Sequence, residues 1–267
     1  MRDSRTLIGR FSRLSAYEKA VVALSAALGV FLILDPLVLS AVRGLDPDLR
    51  RFFRLLTDLG DSNWILIPSG AGLLILAWLQ ARERRPRRGV IYGYVSKLLV
   101  FLFVTVALSG LTASLTKNVI GRARPKLYDE LGSLEFRPFS FDYGFAAFPS
   151  GHATTIGALA GVLAIVWPCA RMPVFVAGAW IASTRFLIGA HYFTDAMAGY
   201  ALGLAFAYFL RDRLARRGWL FRTDPKGDVR LRGRTLLRAA TNALSGKLLV
   251  LGSSVLRLVR SRGEPRH

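Results

Sequence analysis

The chain has 267 residues, 52% of them hydrophobic, with a mean hydropathy of +0.37 and a formal net charge of +20. Soluble domains rarely combine such apolarity with such charge. Here the two separate along the sequence into apolar runs and short arginine-rich segments, a pattern that sets aside nucleic acid as partner, since anionic lipid headgroups account for cations that flank apolar runs.

A helix needs about 20 apolar residues to cross a bilayer core. Six runs approach or exceed that length, at 20–42, 63–81, 90–116, 153–170, 173–190 and 194–210. The predicted fold class is therefore an all-α polytopic membrane protein with six transmembrane helices. Three regions follow: a basic N-terminal tail (1–19), a six-helix membrane domain (20–210) and a basic C-terminal tail (211–267). The basic start of the first run is also how a signal peptide begins. Its apolar stretch of about 21 residues exceeds the usual 7–15, and no small-x-small cleavage site closes it, so it reads as a retained span. The segments expected on one side (1–19, "RERRPRRG" through Lys97, 169–173, and 211 onward) hold 27 of the 37 Lys and Arg residues. By the positive-inside rule both termini are cytoplasmic, and 43–62, 117–152 and the turn at His191 face outward.

After the first run, "DPDLRRFFRLLTDLG" (46–60) predicts a surface helix. Asp46 suits its cap, Pro47 its first turn and Gly60 its end. Leu49, Phe52, Phe53, Leu56 and Leu59 share one face, with arginines opposite, as in a helix lying in the headgroup plane. It is read as an anchor, not as part of a site. The 126–148 loop mixes Asp129, Glu130, Glu135 and Asp142 with six aromatics from Phe136 to Phe148. Aromatics gather at membrane–water interfaces, so the loop either dips into the interface or covers a lipid substrate. Cys169, the one cysteine, falls in a predicted cytoplasmic turn, and no disulfide is possible within one chain. Further on, "GKLLVLGSSVLRLVRSR" is too short and too charged to span, and is expected on the inner surface or partly disordered.

Three clusters on the outward side concentrate polar groups: "KNVIGRARP" (117–125), "PSGH" (149–152) and "TRFLIGAHYFTD" (184–195). Taken singly, each has a bland account. Lys117 could snorkel from its run; Arg122, Arg124 and Lys126 could bind headgroups; Ser150 and Gly151 could be a turn and a helix start. Arg185 resists this, because a charge inside an apolar run is costly and usually paired or functional. His191 and Asp195 are four apart, so in a helix they share a face and can hydrogen-bond. Such a bond fixes the tautomer and leaves the other ring nitrogen as nucleophile or base. Together, three cations can clamp a tetrahedral oxyanion, a Ser-Gly turn at a helix N-terminus offers backbone N–H groups, and two histidines can divide attack from proton delivery. The outward side has no metal-ligand pattern, which points to metal-free phosphoryl transfer with no cofactor.

These clusters resemble the three signatures of the type 2 phosphatidic acid phosphatase superfamily, which also includes glucose-6-phosphatase and the vanadium haloperoxidases: K-x(6)-R-P, P-S-G-H and S-R-x(5)-H-x(3)-D. Lys117 to Pro125 matches the first and Pro149 to His152 the second; the third matches at Arg185, His191 and Asp195, with Thr184 in place of Ser. The resemblance covers roughly 40–210. It implies His191 as the nucleophile that forms a phosphohistidine, Asp195 as its orienting group, and His152 as the acid and then the base. Lys117, Arg124, Ser150, Gly151 and Arg185 would bind phosphate.

The function implied is a metal-independent lipid phosphate phosphatase acting on a phosphomonoester or diphosphate headgroup, in a bacterial inner membrane with its site on the periplasmic or external face. Candidate substrates are phosphatidic acid, phosphatidylglycerophosphate, undecaprenyl diphosphate and the lipid A 1-phosphate. A lipid-to-lipid phosphotransferase would use the same phosphohistidine. The haloperoxidase branch is discounted because it is not built around six spans. A non-catalytic lipid-binding protein would not need His152, His191 and Asp195, and a transporter would carry its charges nearer mid-bilayer.

Overall fold

The computed structural model describes residues 33–233 together with Ala26 and Gly29. The basic tail 1–19 and the amphipathic segment 246–262 lie outside the described residues.

Among the described residues, seven helices longer than two turns and one hairpin follow in order. Helix α1 covers 33–43. Helix α2 (Pro47–Thr57) begins as its sequence dictates: Oδ1 of Asp46 accepts from the backbone N–H of Asp48 and Leu49, and Pro47 takes the first turn. A 3₁₀ turn, Asp58–Gly60, leads to α3 (Asn63–Arg82) and then α4 (Pro86–Ile120). A long loop with three short turns reaches α5 (Gly151–Val166), α6 (Arg171–Leu187) and α7 (Phe193–Arg216). Strands β1 (Phe221–Thr223) and β2 (Val229–Leu231) pair antiparallel, Arg222 opposite Arg230.

Among the described residues, the stretches Pro47–Arg82, Pro86–Ile120 and Phe193–Arg216 contain helices long and apolar enough to cross a membrane. Helix α5 has 16 residues and α6 has 17, shorter than the runs read from sequence. Pro168 is the local reason at the end of α5: the apolar pattern continues past it, but the chain breaks into a 3₁₀ turn at Pro168–Ala170. Twelve of the 16 residues of α5 are buried, so this helix meets other protein more than lipid.

Backbone packing divides the described residues into two compact units, 33–66 with 104–208, and 67–103 with 209–233. In the first, α5, α6 and α7 enclose a core of Ala153, Ile156, Ala160, Ala182, Ala196 and Tyr200. Small residues bring α5 and α7 together. A Cβ on Gly203 would collide with Thr154 O and Ala158 N, and one on Gly199 with Ser150 O. Where lipid is as apolar as leucine, such close backbone approach supplies the attraction. It also fixes the start of α5 against the start of α7. In the second unit Phe101 meets Phe221 edge-to-face at 5.0 Å, and Oδ1 of Asp224 accepts from the N–H groups of Lys226 and Asp228 to form the hairpin turn.

Candidate active site

The three polar clusters of the sequence converge within the first unit. Helix α4 ends with Lys117 in its last turn and Gly121 just beyond. Gly121 has φ +64°, and a Cβ there would strike the carbonyl of Arg137. Glycine therefore lets the chain turn sharply into the extended Arg122-Ala123-Arg124. Arg124 is buried; its Nη1 donates to the Tyr143 hydroxyl at 2.9 Å, its Nη2 to Ala146 O at 3.2 Å, and its guanidinium lies 3.8 Å from the Tyr143 ring centroid. Burial pushes its pKa down from the ordinary arginine value, against the pull of Tyr143 and Asp195.

Ser150 is the N-cap of α5 and is fully buried; its Oγ accepts from Ala153 N, and its own N–H donates to Asp195 O at 3.0 Å. Gly151 opens the helix, with the Lys117 ammonium 3.3 Å from where a Cβ would sit. Any side chain there would push the lysine away. His152 follows, packed on Gly60, whose own Cβ would lie 2.8 Å from that of His152.

Arg185 sits in the last turn of α6 and donates from Nη1 to Thr57 Oγ1 at 2.9 Å. Neighbouring Thr184 is buried and bonds back to Ile181 O at 2.6 Å. The hydroxyl that departs from the signature is thus used within the helix. Lys117, Arg124, Arg185 and the two histidines interact electrostatically with one another. Among the described residues none of the three cations forms an ion pair, and Nε of both Arg124 and Arg185 is buried with no hydrogen-bond partner.

His191 is 3% exposed, in the short connection between α6 and α7. Its Nδ1 lies 2.8 Å from Ala147 O. A carbonyl only accepts, so Nδ1 carries the proton and Nε2 keeps its lone pair. Asp195 Oδ2 is 3.7 Å from Nδ1, too long for a hydrogen bond but near enough to favour a cationic ring. The expected Asp195–His191 bond is therefore replaced. The reason is local: α7 starts only at Phe193, so the helical i,i+4 relation does not reach back to residue 191. Asp195 is drawn instead to Arg122 Nη1 at 2.6 Å and to Tyr192 N–H at 2.9 Å. Burial pushes the His191 pKa down to about 4, with Asp195 opposing.

Two expectations from sequence need correction. Arg122 is not a headgroup ligand: it is fully buried, paired with both Asp35 and Asp195. The 46–60 helix is more than an anchor, since Thr57 holds Arg185 and Gly60 backs His152. Sequence reading also passed over Asp35, though its signal was present: it is the single charged residue of the 20–42 run. The 126–148 loop presents Phe136, Phe139 and Phe141 to the outside, while Tyr143 joins it to Arg124. Among the described residues no group of three or more His, Cys, Asp or Glu side chains is arranged to hold a metal ion.

Comparison with known proteins gives the family. The PAP2 superfamily profile matches residues 98–219. Two lipid A 1-phosphatases, from Rhizobium johnstonii and Rhizobium etli, are each 39% identical over 178 residues, which is 65% of this chain and 71% and 75% of theirs. Two crystal structures align at lower similarity. Aquifex aeolicus LpxE has 18% identity and a TM-score of 0.41, over 68% of this chain and 92% of that one. A PAP2-type phosphatidylglycerolphosphate phosphatase from Bacillus subtilis has 21% identity and a TM-score of 0.44, over 81% and 98%. With relatives that similar across more than two thirds of their own length, the chain belongs to the PAP2 superfamily and is a phosphoric monoester hydrolase.

Proposed function

We infer that this is a multi-pass bacterial inner-membrane enzyme that releases phosphate from a lipid headgroup through a phosphohistidine on His191, without a metal. The observation that carries the reading is Arg124 and Arg185 beside His191, with Lys117 beside His152 and Gly151, none of the three in an ion pair among the described residues and Nε of both arginines buried and unused. A tetrahedral oxyanion satisfies both needs at once.

In the first step the Nε2 lone pair of His191 attacks phosphorus. Lys117, Arg124, Arg185 and the backbone at Ser150 and Gly151 take the charge on the equatorial oxygens. The P–O bond to the lipid breaks, and His152 gives its proton to the leaving oxygen. An anionic phosphate favours the imidazolium form that this requires. In the second step His152 takes a proton from water, the oxygen of which attacks phosphorus and displaces Nε2. Nδ1 keeps its proton throughout, donating it to Ala147 O, and Asp195 stabilises the ring while it is positive.

The substrate class we assign is lipid A carrying a 1-phosphate. Both curated relatives bear that activity in their names. Six membrane helices over 20–210 flanked by cytoplasmic tails at 1–19 and 211–267 would place the site outside, where the 27 of 37 charge split puts it. The test is phosphate release by purified protein in detergent with EDTA, against lipid A 1-phosphate, phosphatidic acid, phosphatidylglycerophosphate and undecaprenyl diphosphate. Lipid A 1-phosphate should turn over fastest, with acid-quenched protein carrying label. Faster release from another lipid overturns the substrate; a strict metal requirement overturns the mechanism.

A further inference from the structure

We propose that Asp35 and Arg122 are a positioning pair that brings α1 into the catalytic centre, holding the first turn of α7 and the Asp195 carboxylate beneath His191. The inference rests on the phosphohistidine reading above. Neither residue belongs to a phosphate-binding or proton-transferring group, and Asp35 lies outside the stretch that matches the family profile.

Arg122 uses its whole fork. Nη1 donates to Asp195 Oδ1 at 2.6 Å and to Thr194 Oγ1 at 3.0 Å. Nη2 donates to Asp35 Oδ2 at 2.7 Å and to Ser133 O at 2.9 Å, and Nε also reaches Ser133 O, at 3.2 Å. The ring of Tyr192 lies 4.3 Å from its guanidinium carbon. Asp35 in turn caps α7 from another helix: Oδ1 accepts from Thr194 N at 2.9 Å and Oδ2 from Thr194 Oγ1 at 2.5 Å. One carboxylate thus satisfies an orphan N–H of the first turn of α7 and half of the arginine that grips Asp195.

Stability alone does not account for this set. Asp35, Arg122 and Asp195 are all 0% exposed, and burying charges costs about as much as their pairing returns, or more. A neutral cap would hold the helix as well. What the third charge changes is the field. With Asp35 present, one net negative charge remains beneath the imidazole, which becomes cationic when Nε2 takes the phosphoryl group. With Asp35 neutral, Arg122 cancels Asp195, and that stabilisation is lost in the transition state while substrate binding is untouched.

Asp35→Asn removes the charge and keeps one acceptor oxygen, enough for the Thr194 N–H at the start of α7. In the purified full-length enzyme, kcat should fall about 10- to 100-fold, the range known for partners that orient metal-ligating side chains, applied here to the side chain that carries the phosphoryl group. KM should stay within about twofold, because the phosphate-binding groups are unchanged. The melting temperature should fall, because buried Arg122 loses an anionic partner, so kcat is read on the folded enzyme, and Asp35→Glu should recover part of it. Thr194→Val, nearly isosteric, removes the hydroxyl shared by Asp35 and Arg122 and should lower kcat without raising KM; it decides the matter alone if Asp35→Asn does not fold. Wild-type kcat in either folded variant overturns the proposal, as does a rise in KM with kcat retained. Failure of the wild-type enzyme to release phosphate from any of the four lipids would instead sink the functional reading on which it rests.

Discussion

Because Ala147 O accepts a hydrogen bond from Nδ1–H of His191, the tautomer that the proposed attack from Nε2 needs is set before substrate arrives. Burial holds the free-enzyme pKa at about 4, well below the ordinary 6.5. In the proposed mechanism the neutral ring attacks, so activity should persist as pH falls through 6.5 and be lost only on approach to 4. The acid limb of kcat/KM, which reports the free enzyme, checks this; a limb at 6.5 would mean that the ring is not so buried. Linkage gives stability the same sign. The unfolded chain binds the proton first, so this residue's contribution is present above 6.5 and is lost as pH drops toward 4. The clamp makes a second prediction. Lys117→Ala, Arg124→Ala and Arg185→Ala should each cost on the order of a hundredfold in turnover, the scale of losing one preorganised charge contact. Lys126→Ala, on an exposed side chain, should cost little. Equal small losses at all four positions would remove the assignment. The convergence of the residues proposed as the clamp was legible in the sequence because their spacing is fixed along the chain. The Ala147 carbonyl was not, because a backbone acceptor leaves no mark in residue identity.

At the scale of elements, what was legible follows local physics. The apolar runs give the helices, and Asp46-Pro47 gives the start of α2. What was missed depends on where separate elements meet. Nothing local to "LLTDLG" says that Thr57 will face Arg185, 128 positions later. Likewise the i,i+4 rule at His191 and Asp195 failed for want of a helix boundary, which sequence periodicity places only to within a few residues. The crossing of α5 and α7 is the element-level device that joins the "PSGH" turn to the third cluster. Gly203→Ala should therefore act at a distance. Its methyl would press on Thr154 O and Ala158 N, one turn into α5 from the site. Overpacking of this kind costs about 1–3 kcal/mol. It should appear as a lower melting temperature in detergent together with reduced phosphoenzyme formation. An unchanged melting temperature would show that α5 and α7 can separate freely.

For the whole molecule, the same charges that make the chain so basic predict, by the positive-inside rule, which way it sits. Helix α5 runs from Ser150 at the site to the Pro168–Ala170 turn at its other end, where Cys169 is exposed. Sixteen residues at 1.5 Å each separate the two by about 24 Å, most of a hydrocarbon core of about 30 Å. The single cysteine and the site therefore report opposite faces if α5 crosses the membrane. The positive-inside rule puts Cys169 in the cytoplasm and the 126–148 loop outside. A membrane-impermeant maleimide should leave Cys169 unlabelled in intact spheroplasts and label it in inverted vesicles. Ser140→Cys in a Cys169→Ser background, on the exposed part of the loop, should give the reverse. Labelling of both from one side would mean that α5 does not span. Labelling in the opposite sense would place the clamp in the cytoplasm, where a lipid presented on the outer leaflet could not reach His191.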